Sequence, residues 1–279
     1  MKRIITVQDI SCVGKCSLTV ALPIISAMGV EAAVLPTAVL STHTAFKEGY
    51  TFRDLTDDIT AITDHWKKEN FSFDAIYTGY LGSFEQLRLM SEFFDDFKTE
   101  DNLIFIDPVM GDYGKLYTGF TPEFAKAMAQ LCSKADIIVP NMTEAAFMLD
   151  IPYKGDGYDV AYVQDVLRKL TALGAKCAVL TGVSFEPGKV GIMAYDSIKD
   201  RFFEYYNDRV DASYHGTGDV FASTCVGALM NGKTLEEALQ IAADYTAECI
   251  RITEDEPGHN WYGVNFETAT PYLLDRLSR

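Results

Sequence analysis

Residues 214–223, YHGTGDVFAS, place two glycines and a threonine directly before Asp219, at the start of an apolar, small-residue run that predicts a helix. Glycines ahead of a helix let backbone N–H groups converge on an anion, and the helix N-terminus adds the positive end of its dipole. Asp219 adds a negative charge at the place where an anion would bind. Anion binding alone therefore does not explain the motif, and the aspartate needs a role of its own.

A second motif, DPVMGD, ends a short apolar strand with Asp107 and Asp112 on either side of a proline and a glycine. Mg²⁺ is typically held by one or two carboxylates together with phosphate oxygens, so the two acids suit a hard-cation site. Asp, Pro and Gly are also the residues that ordinary turns favour. The motif alone leaves both interpretations open.

The motif PNMTEA follows the next predicted strand and begins a helix. Asn141 or Thr143 can cap that helix, and Glu144 would lie in its first turn, where the dipole favours an acid. Capping and catalysis are compatible, because a carboxylate at a strand end can also direct water towards a metal. We therefore expect Glu144 to be a metal-side acid, a cap residue or both.

Short β-rich runs alternate with segments of helical period along the whole chain. The predicted strands are Arg3–Val7, Ala32–Val39, Ala75–Thr78, Leu103–Ile106, Asp136–Val139 and Cys177–Thr181. The predicted helices are Ser17–Met28, Asp54–Lys68, Phe84–Phe97, Pro122–Cys132, Glu144–Leu149, Val160–Leu173, Val220–Met230, Leu235–Thr253 and Glu267–Leu277. This alternation predicts an α/β fold in a single domain, 1–279, with a mostly parallel central sheet and helices on both faces. A small antiparallel hairpin, Lys189–Tyr195 and Arg201–Tyr206, is added to it.

Polar residues follow six of the predicted strands. They are Gln8 and Asp9, Ser41–Thr44, Gly79 and Tyr80, Asp107, Asn141, and Thr181 and Gly182. Ligands of such folds bind outside the carboxyl ends of the strands, so we expect these residues to converge on one site. His43 is the strongest site candidate among the histidines, because it lies at a strand end beside two hydroxyl side chains.

Composition excludes several classes of function. The net charge is −16 and the pI is near 4.6, which argue against a nucleic-acid or anionic-membrane partner and leave a small-molecule substrate. The six scattered cysteines indicate reduced thiols, and no apolar stretch is long enough to cross a membrane. SCVGKCS is not a Walker A loop, because Asp9 and Cys16 stand at two required positions. We expect a soluble, cytoplasmic protein.

Taken together, HGTGDVFAS, DPVMGD, PNMTEA and LTG (180–182), in this order, resemble the ribokinase-like superfamily. Within it, STHTAF (41–46) and YTGYLGS (77–83) resemble the pyridoxal/pyridoxine/pyridoxamine (vitamin B6) kinases. The resemblance extends over nearly the whole chain. It implies ATP-dependent phosphorylation of the 5′-hydroxymethyl group of a B6 vitamer, in salvage of pyridoxal phosphate. It also implies ATP and Mg²⁺ as cofactors, K⁺ as an optional monovalent cation, and a homodimer.

The family's motifs assign roles to the matching residues. Its glycine-rich turn holds the phosphoryl group during transfer, and its aspartate is the base for the substrate hydroxyl. The resemblance therefore implies a catalytic set of Asp219, Gly216, Thr217 and Gly218. The implied nucleotide-side residues are Asp107, Asp112, Asn141, Thr181 and Gly182, with Asp112 and Glu144 on the metal side. The implied pyridine pocket contains Asp9, His43, Thr44 and Tyr80.

Asp9 departs from the family pattern, which has a serine at this position. A carboxylate beside a pyridine nitrogen favours its protonated form, so we hypothesise that Asp9 pairs with the ring nitrogen. Hydroxymethylpyrimidine kinases, many of which have cysteine at the position of Asp219, and sugar kinases of the same superfamily are the enzymatic alternatives. A vitamer-binding regulator or carrier without catalysis is the alternative of another class. Asp219 and its intact glycine turn argue against that carrier.

Overall fold

In the computed structural model, which describes residues 1–46 and 49–279, strands and helices alternate as the sequence predicts. The elements of the first 79 residues are β1 (Arg3–Val13), α1 (Leu18–Ala27), β2 (Glu31–Thr42), β3 (Phe52–Asp54), α2 (Thr56–Lys68) and β4 (Ala75–Thr78). β1 pairs in parallel with β2 and with β4, whereas β3 runs antiparallel to β2. Ile4, Ile5 and Val7 of β1 are fully buried, as expected for a strand that is covered on both faces.

The elements that follow are α3 (Phe84–Phe97), β5 (Leu103–Ile106), β6 (Gly111–Asp112), β7 (Lys115–Leu116), α4 (Pro122–Cys132), β8 (Ile137–Ile138), α5 (Met142–Leu149), α6 (Val160–Ala172), β9 (Cys177–Val183), β10 (Lys189–Asp196) and β11 (Arg201–Asp208). β8 pairs in parallel with β5 and with β9. β10 runs antiparallel to β9 and is followed by β11 in the strand order. β6 and β7 form a separate antiparallel pair.

The chain ends in three helices, α7 (Thr217–Met230), α8 (Leu235–Asp255) and α9 (Phe266–Ser278). Residues 220–228 of α7 are all buried, as expected for a helix that is apolar or small on every face. Residues 1–79 and 208–279 form one compact unit, and residues 80–207 form another. In the described residues, none of the helices has the length and apolarity needed to cross a membrane.

The α/β fold class, with its mostly parallel sheet and flanking helices, is confirmed. Local signals explain the accuracy of many boundaries: the Ser83 side chain accepts the N–H of Gln86 at the start of α3, and Gly29 after α1 has a φ of 77°. The short strands β3, β6 and β7 are additions to the predicted set. β1 also continues six residues past the predicted end at Val7, because it stays paired with β2 as far as Val13.

Candidate active site

The glycine turn at the start of α7 has the geometry of an anion-binding helix N-terminus. Gly216 is the N-cap and has a φ of 78°, a conformation that glycine adopts readily. A Cβ on Gly216 would lie 2.1 Å from the carbonyl oxygen of Lys15, so the turn also has no room for a side chain. Thr217 and Gly218 begin the helix, and the Thr217 hydroxyl donates to the carbonyl of Tyr214 at 3.3 Å. The first N–H groups of α7 thus lie at a turn whose first position, 216, has room only for glycine.

Asp219 is the third residue of α7 and is half-buried. The pKa of its carboxyl group is raised to about 7, because burial and the negative charge of Asp9 raise it more than a hydrogen bond from the Ser17 N–H lowers it. A carboxylate with a pKa near neutrality is suited to accept a proton from a hydroxyl group. The turn thus carries two separate groups: N–H donors and a carboxylate whose pKa suits proton transfer.

Asp9 is 5% exposed and lies within β1. Its two carboxylate oxygens accept hydroxyl groups, from Ser11 at 2.9 Å and from Ser17 at 2.6 Å. Burial raises the pKa of Asp9, whereas these hydrogen bonds lower it. The carboxylate therefore has two protein partners already, and its contact with a pyridine nitrogen stays a hypothesis.

His43 is buried, and both of its ring nitrogens have partners. The N–H of Ala45 donates to Nδ1 at 3.2 Å, and Nε2 lies 3.1 Å from the carbonyl oxygen of Tyr262. These partners assign the proton to Nε2, and burial lowers the pKa of the ring. Both nitrogens of the neutral imidazole are thus hydrogen-bonded to backbone groups of the protein, whereas the side chain of the neighbouring Thr44 is exposed. Of His43 and Thr44, two residues of the implied pyridine pocket, Thr44 has the accessible side chain.

The second unit, residues 80–207, carries the other predicted residues. Tyr80 is half-buried, and its ring centroid lies 5.6 Å from that of Phe120. Asp107 is buried just after β5, whereas Asp112 is exposed and accepts the N–H of Tyr113 at 2.8 Å. An exposed carboxylate in a glycine turn is accessible to a cation.

The N-terminus of α5 holds the turn that carries Asp112. Glu144 accepts the N–H of Asn141 at 2.8 Å and the N–H of Met110 at 3.1 Å, and Asn141 donates to the carbonyl of Gly111 at 2.8 Å. The pKa of Glu144 is raised to about 8, because burial and the charge of Asp112 raise it more than the N–H donors lower it. Both oxygens of Glu144 thus accept backbone N–H groups and hold this turn, and its metal-side role stays a prediction.

Thr181 and Gly182 lie in β9, next to this helix terminus. Thr181 forms an isolated parallel bridge with Asn141, and its N–H donates to the carbonyl of Pro140 at 3.1 Å. Gly182 is exposed and has a φ of 72°, with no atom within 4 Å of the position of a Cβ. The structure therefore brings Asn141, Glu144 and Thr181 together within the second unit.

The donor set of the second unit fits a magnesium ion that arrives with a nucleotide. Within residues 1–46 and 49–279, no three His, Cys, Asp or Glu side chains form a metal-binding group. Mg²⁺ bound to phosphates needs only one or two carboxylates and retains several waters. The exposed carboxylate of Asp112 meets that requirement, and Asp107 is the second acid of the same motif.

The family model described as phosphomethylpyrimidine kinase matches residues 21–265 of this chain. The chain belongs to the phosphomethylpyrimidine kinase family. Its resemblance to the ribokinase-like superfamily and to the pyridoxal kinases is confirmed, and it is a phosphotransferase.

Members of this family and its relatives match nearly the whole chain. A provisionally assigned phosphomethylpyrimidine kinase from Bacteroides thetaiotaomicron, crystallised with pyridoxal, is 43% identical, with a TM-score of 0.92 and coverage of 98% of this chain and 95% of that one. Pyridoxal kinase from Lactobacillus plantarum is 30% identical, with a TM-score of 0.89 and coverage of 99% and 97%. The pyridoxine/pyridoxal/pyridoxamine kinase of Bordetella avium is 26% identical over 267 residues, 90% of this chain and 85% of the relative.

Two side chains in this family member make contacts that the sequence motifs do not indicate. Ser17 contacts both Asp9 and Asp219, and Thr143 accepts the N–H of Gly114 at 2.9 Å to hold the turn of Asp112. Serine and threonine are common at helix starts, where capping is the ordinary explanation. The only available signal was the position of each residue directly beside a motif.

Proposed function

We propose that this chain phosphorylates the 5′-hydroxymethyl group of a vitamin B6 vitamer (pyridoxal, pyridoxine or pyridoxamine), with ATP as phosphoryl donor and Mg²⁺ as cofactor. The observation that carries the proposal is the arrangement of Asp219, a carboxylate with a pKa near 7, in the glycine turn that begins α7. The pyridoxal-bound Bacteroides thetaiotaomicron protein, 43% identical over nearly the whole chain, supports the class of substrate.

Asp219 accepts the proton of the 5′-hydroxyl as the oxygen attacks the γ-phosphorus of ATP. The bond between that phosphorus and the β,γ-bridging oxygen breaks, and ADP leaves. The N–H groups of Gly216, Thr217 and Gly218 face the negative charge of the phosphoryl group during transfer. Such positioning and electrostatic stabilisation account for most of the catalysis of phosphoryl transfer.

The second unit supplies the proposed nucleotide-side residues. We propose that Asp107, Asp112, Asn141, Thr181 and Gly182 lie on the nucleotide side. Asp112 would hold Mg²⁺, which neutralises phosphate charge when bound, and Glu144 would keep the turn of Asp112 in place. We retain K⁺ as an optional cation, a homodimer and a cytoplasmic location on the family resemblance alone.

The test of this proposal is a turnover assay with each vitamer. The purified protein is incubated with ATP, Mg²⁺ and pyridoxal, pyridoxine, pyridoxamine or hydroxymethylpyrimidine, and ADP release is measured. We expect turnover with at least one vitamer and a lower kcat/KM for hydroxymethylpyrimidine. Faster turnover of hydroxymethylpyrimidine would favour the alternative kinase, and vitamer binding without ADP release would favour a carrier.

Asp112→Ala is expected to raise the Mg²⁺ concentration for half-maximal activity roughly 10- to 100-fold, because the ion loses a carboxylate oxygen. The KM for the vitamer should change little.

Glu144→Gln should instead lower Tm, because an amide replaces a carboxylate oxygen that accepts backbone N–H groups. Magnesium titrations and thermal melts check both, with exposed Asp101→Asn as control. An unchanged Mg²⁺ titration of Asp112→Ala would mean that Asp112 is only a turn residue.

Recognition of the ring gives a separate prediction. Thr44 is exposed, so its hydroxyl can bond the phenolic 3-hydroxyl of a vitamer. Thr44→Val should lower kcat/KM for pyridoxal roughly 2- to 12-fold, the usual worth of one hydrogen bond, and have little effect on 3-deoxypyridoxine. We propose that the Tyr80 ring makes an apolar contact with the vitamer ring, and Tyr80→Leu extends the comparison. Equal losses for both substrates in Thr44→Val would rule out this hydrogen bond.

A further inference from the structure

The loop before α1, residues 14–17, has an unusual backbone conformation. Gly14, Lys15 and Ser17 have φ values of 146°, 51° and 54°. Non-glycine residues adopt such angles at an energetic cost and keep them only where their surroundings fix them. The contacts of Lys15 and Ser17 therefore have to explain why the loop keeps this shape.

Hydrogen bonds from Ser17 and Lys15 help to hold the loop, beside a backbone bridge between Ser17 and Ile10. The Ser17 hydroxyl donates to Oδ1 of Asp9 at 2.6 Å, and the Lys15 ammonium donates to Oδ1 of Asn265 and Oε2 of Glu267, both at 2.9 Å. Ser17 is the N-cap residue of α1, but its side chain makes no capping hydrogen bond. The hydroxyl that would normally cap the helix is used on Asp9 instead.

The same loop contacts the glycine turn and the proposed base. The carbonyl oxygen of Lys15 lies 2.1 Å from the position that a Cβ of Gly216 would take, and the N–H of Ser17 donates to the carboxylate of Asp219. Ser17 thus joins two acids, with its hydroxyl on Asp9 and its N–H on Asp219. The strained φ of Ser17 is part of this geometry, because it sets where the hydroxyl side chain lies relative to that N–H.

We infer that Ser17 is a positioning residue for the proposed reaction: Asp9 binds its hydroxyl, and this contact holds its N–H on Asp219 so that the base keeps one orientation. The inference rests on the proposed function, in which Asp219 is the base. It gives Asp9 a role inside the protein in place of a direct contact with the pyridine ring.

The charges around Asp219 determine how each variant should change the pH profile. Asp9 faces Asp219 from β1, and the Cys16 thiol faces Asp219 from the loop. This thiol is neutral, because burial raises its pKa well above its usual value. Lys15 is paired with Glu267 of α9, and His215 precedes the turn on the same segment. A weaker Ser17 N–H contact should raise the pKa of Asp219, whereas removal of the Asp9 charge should lower it.

Ser17→Ala, which loses the hydroxyl that Asp9 holds, tests the inference. We expect kcat to fall about tenfold, the effect of one hydrogen bond, with KM values for ATP and vitamer unchanged and the acid limb of the pH profile moved to higher pH. Asp9→Asn, which keeps an oxygen for the Ser17 hydroxyl, should move that limb to lower pH without changing the vitamer KM. Ser11→Ala is the matched control, because Ser11 bonds the other oxygen of Asp9.

The outcomes separate this inference from the proposed function. Three results would each overturn the inference while vitamer turnover by the wild type still supports the function. They are a Ser17→Ala variant with the kcat and pH profile of the wild type, a Ser11→Ala variant with the defect expected of Ser17→Ala, and an Asp9→Asn variant with a changed vitamer KM. No vitamer turnover by the wild type would overturn both. Ser17→Gly, which tolerates the positive φ, covers the case in which Ser17→Ala does not fold, and the same kinetic defect is expected.

Discussion

Asp219→Asn is expected to lower kcat for vitamer phosphorylation about 10²- to 10⁴-fold, because it removes a positioned general base while keeping the shape of the side chain. The KM for ATP should remain close to the wild-type value. The wild-type rate should fall as the pH drops below about 7, because protonation of Asp219 removes the base. The variant should lose this acid limb. Steady-state kinetics from pH 5 to 9 measure both effects.

Asp211→Asn is the matched control for this substitution. Asp211 lies on the same segment eight residues earlier, and its side chain is 97% exposed. The same chemical change there should leave kcat and the pH profile unaltered. Near-normal turnover in Asp219→Asn, or an acid limb that survives in it, would remove Asp219 from the role of base.

Gly216→Ala is the second substitution with a large expected effect. The new Cβ would lie 2.1 Å from the carbonyl oxygen of Lys15, at a φ of 78°, so either the turn or the 14–17 loop has to move. Displacement of the N–H groups that face the phosphoryl group should lower kcat by about 10²- to 10³-fold, as for other lost charge-stabilising donors. Kinetics and thermal melts measure the effect on catalysis and on stability.

Gly232→Ala separates the steric effect from the cost of the backbone angle. Gly232 has a φ of 81°, similar to Gly216, but no atom lies within 4 Å of its Cβ position. We expect this control to lose stability by about 1–2 kcal/mol with an unchanged kcat. If Gly216→Ala also kept its kcat, the glycine turn would not hold the phosphoryl group.

The helices and buried strands were predictable because their signals are local. Ser83 caps α3 through Gln86, three residues away, and the fully buried run of β4 contains only apolar, aromatic and hydroxyl side chains. β3 was not predictable, because its three residues are all exposed and show no alternation of buried and exposed side chains. Its extended conformation comes with its pairing to β2, which is a tertiary contact. The polar residues after Val7 were predicted as a loop, although they continue β1 to Val13.

The site was predictable as a set of motifs but not as a set of contacts. Asp219 and Gly216 stand out by their spacing, whereas the hydrogen bond from Ser17 to Asp9 depends on a left-handed backbone angle that serine rarely adopts. Glu144 shows the same limit. Its bond to the Met110 N–H, 34 residues away, is a tertiary contact that no local pattern encodes. Local chemistry thus identified the groups, and the fold determined which of them remain accessible to a ligand.

The most direct test of the central claim is the identity of the product formed from pyridoxal and ATP. After incubation of the wild-type protein with both and Mg²⁺, phosphorus NMR and mass spectrometry of the ring compound locate the phosphate. We predict pyridoxal 5′-phosphate in a one-to-one ratio with ADP, and formation of both products at least about 10²-fold slower with Asp219→Asn. ADP without a phosphorylated ring, or equal product from Asp219→Asn, would contradict the claim that Asp219 and its glycine turn transfer phosphate to the 5′-hydroxyl.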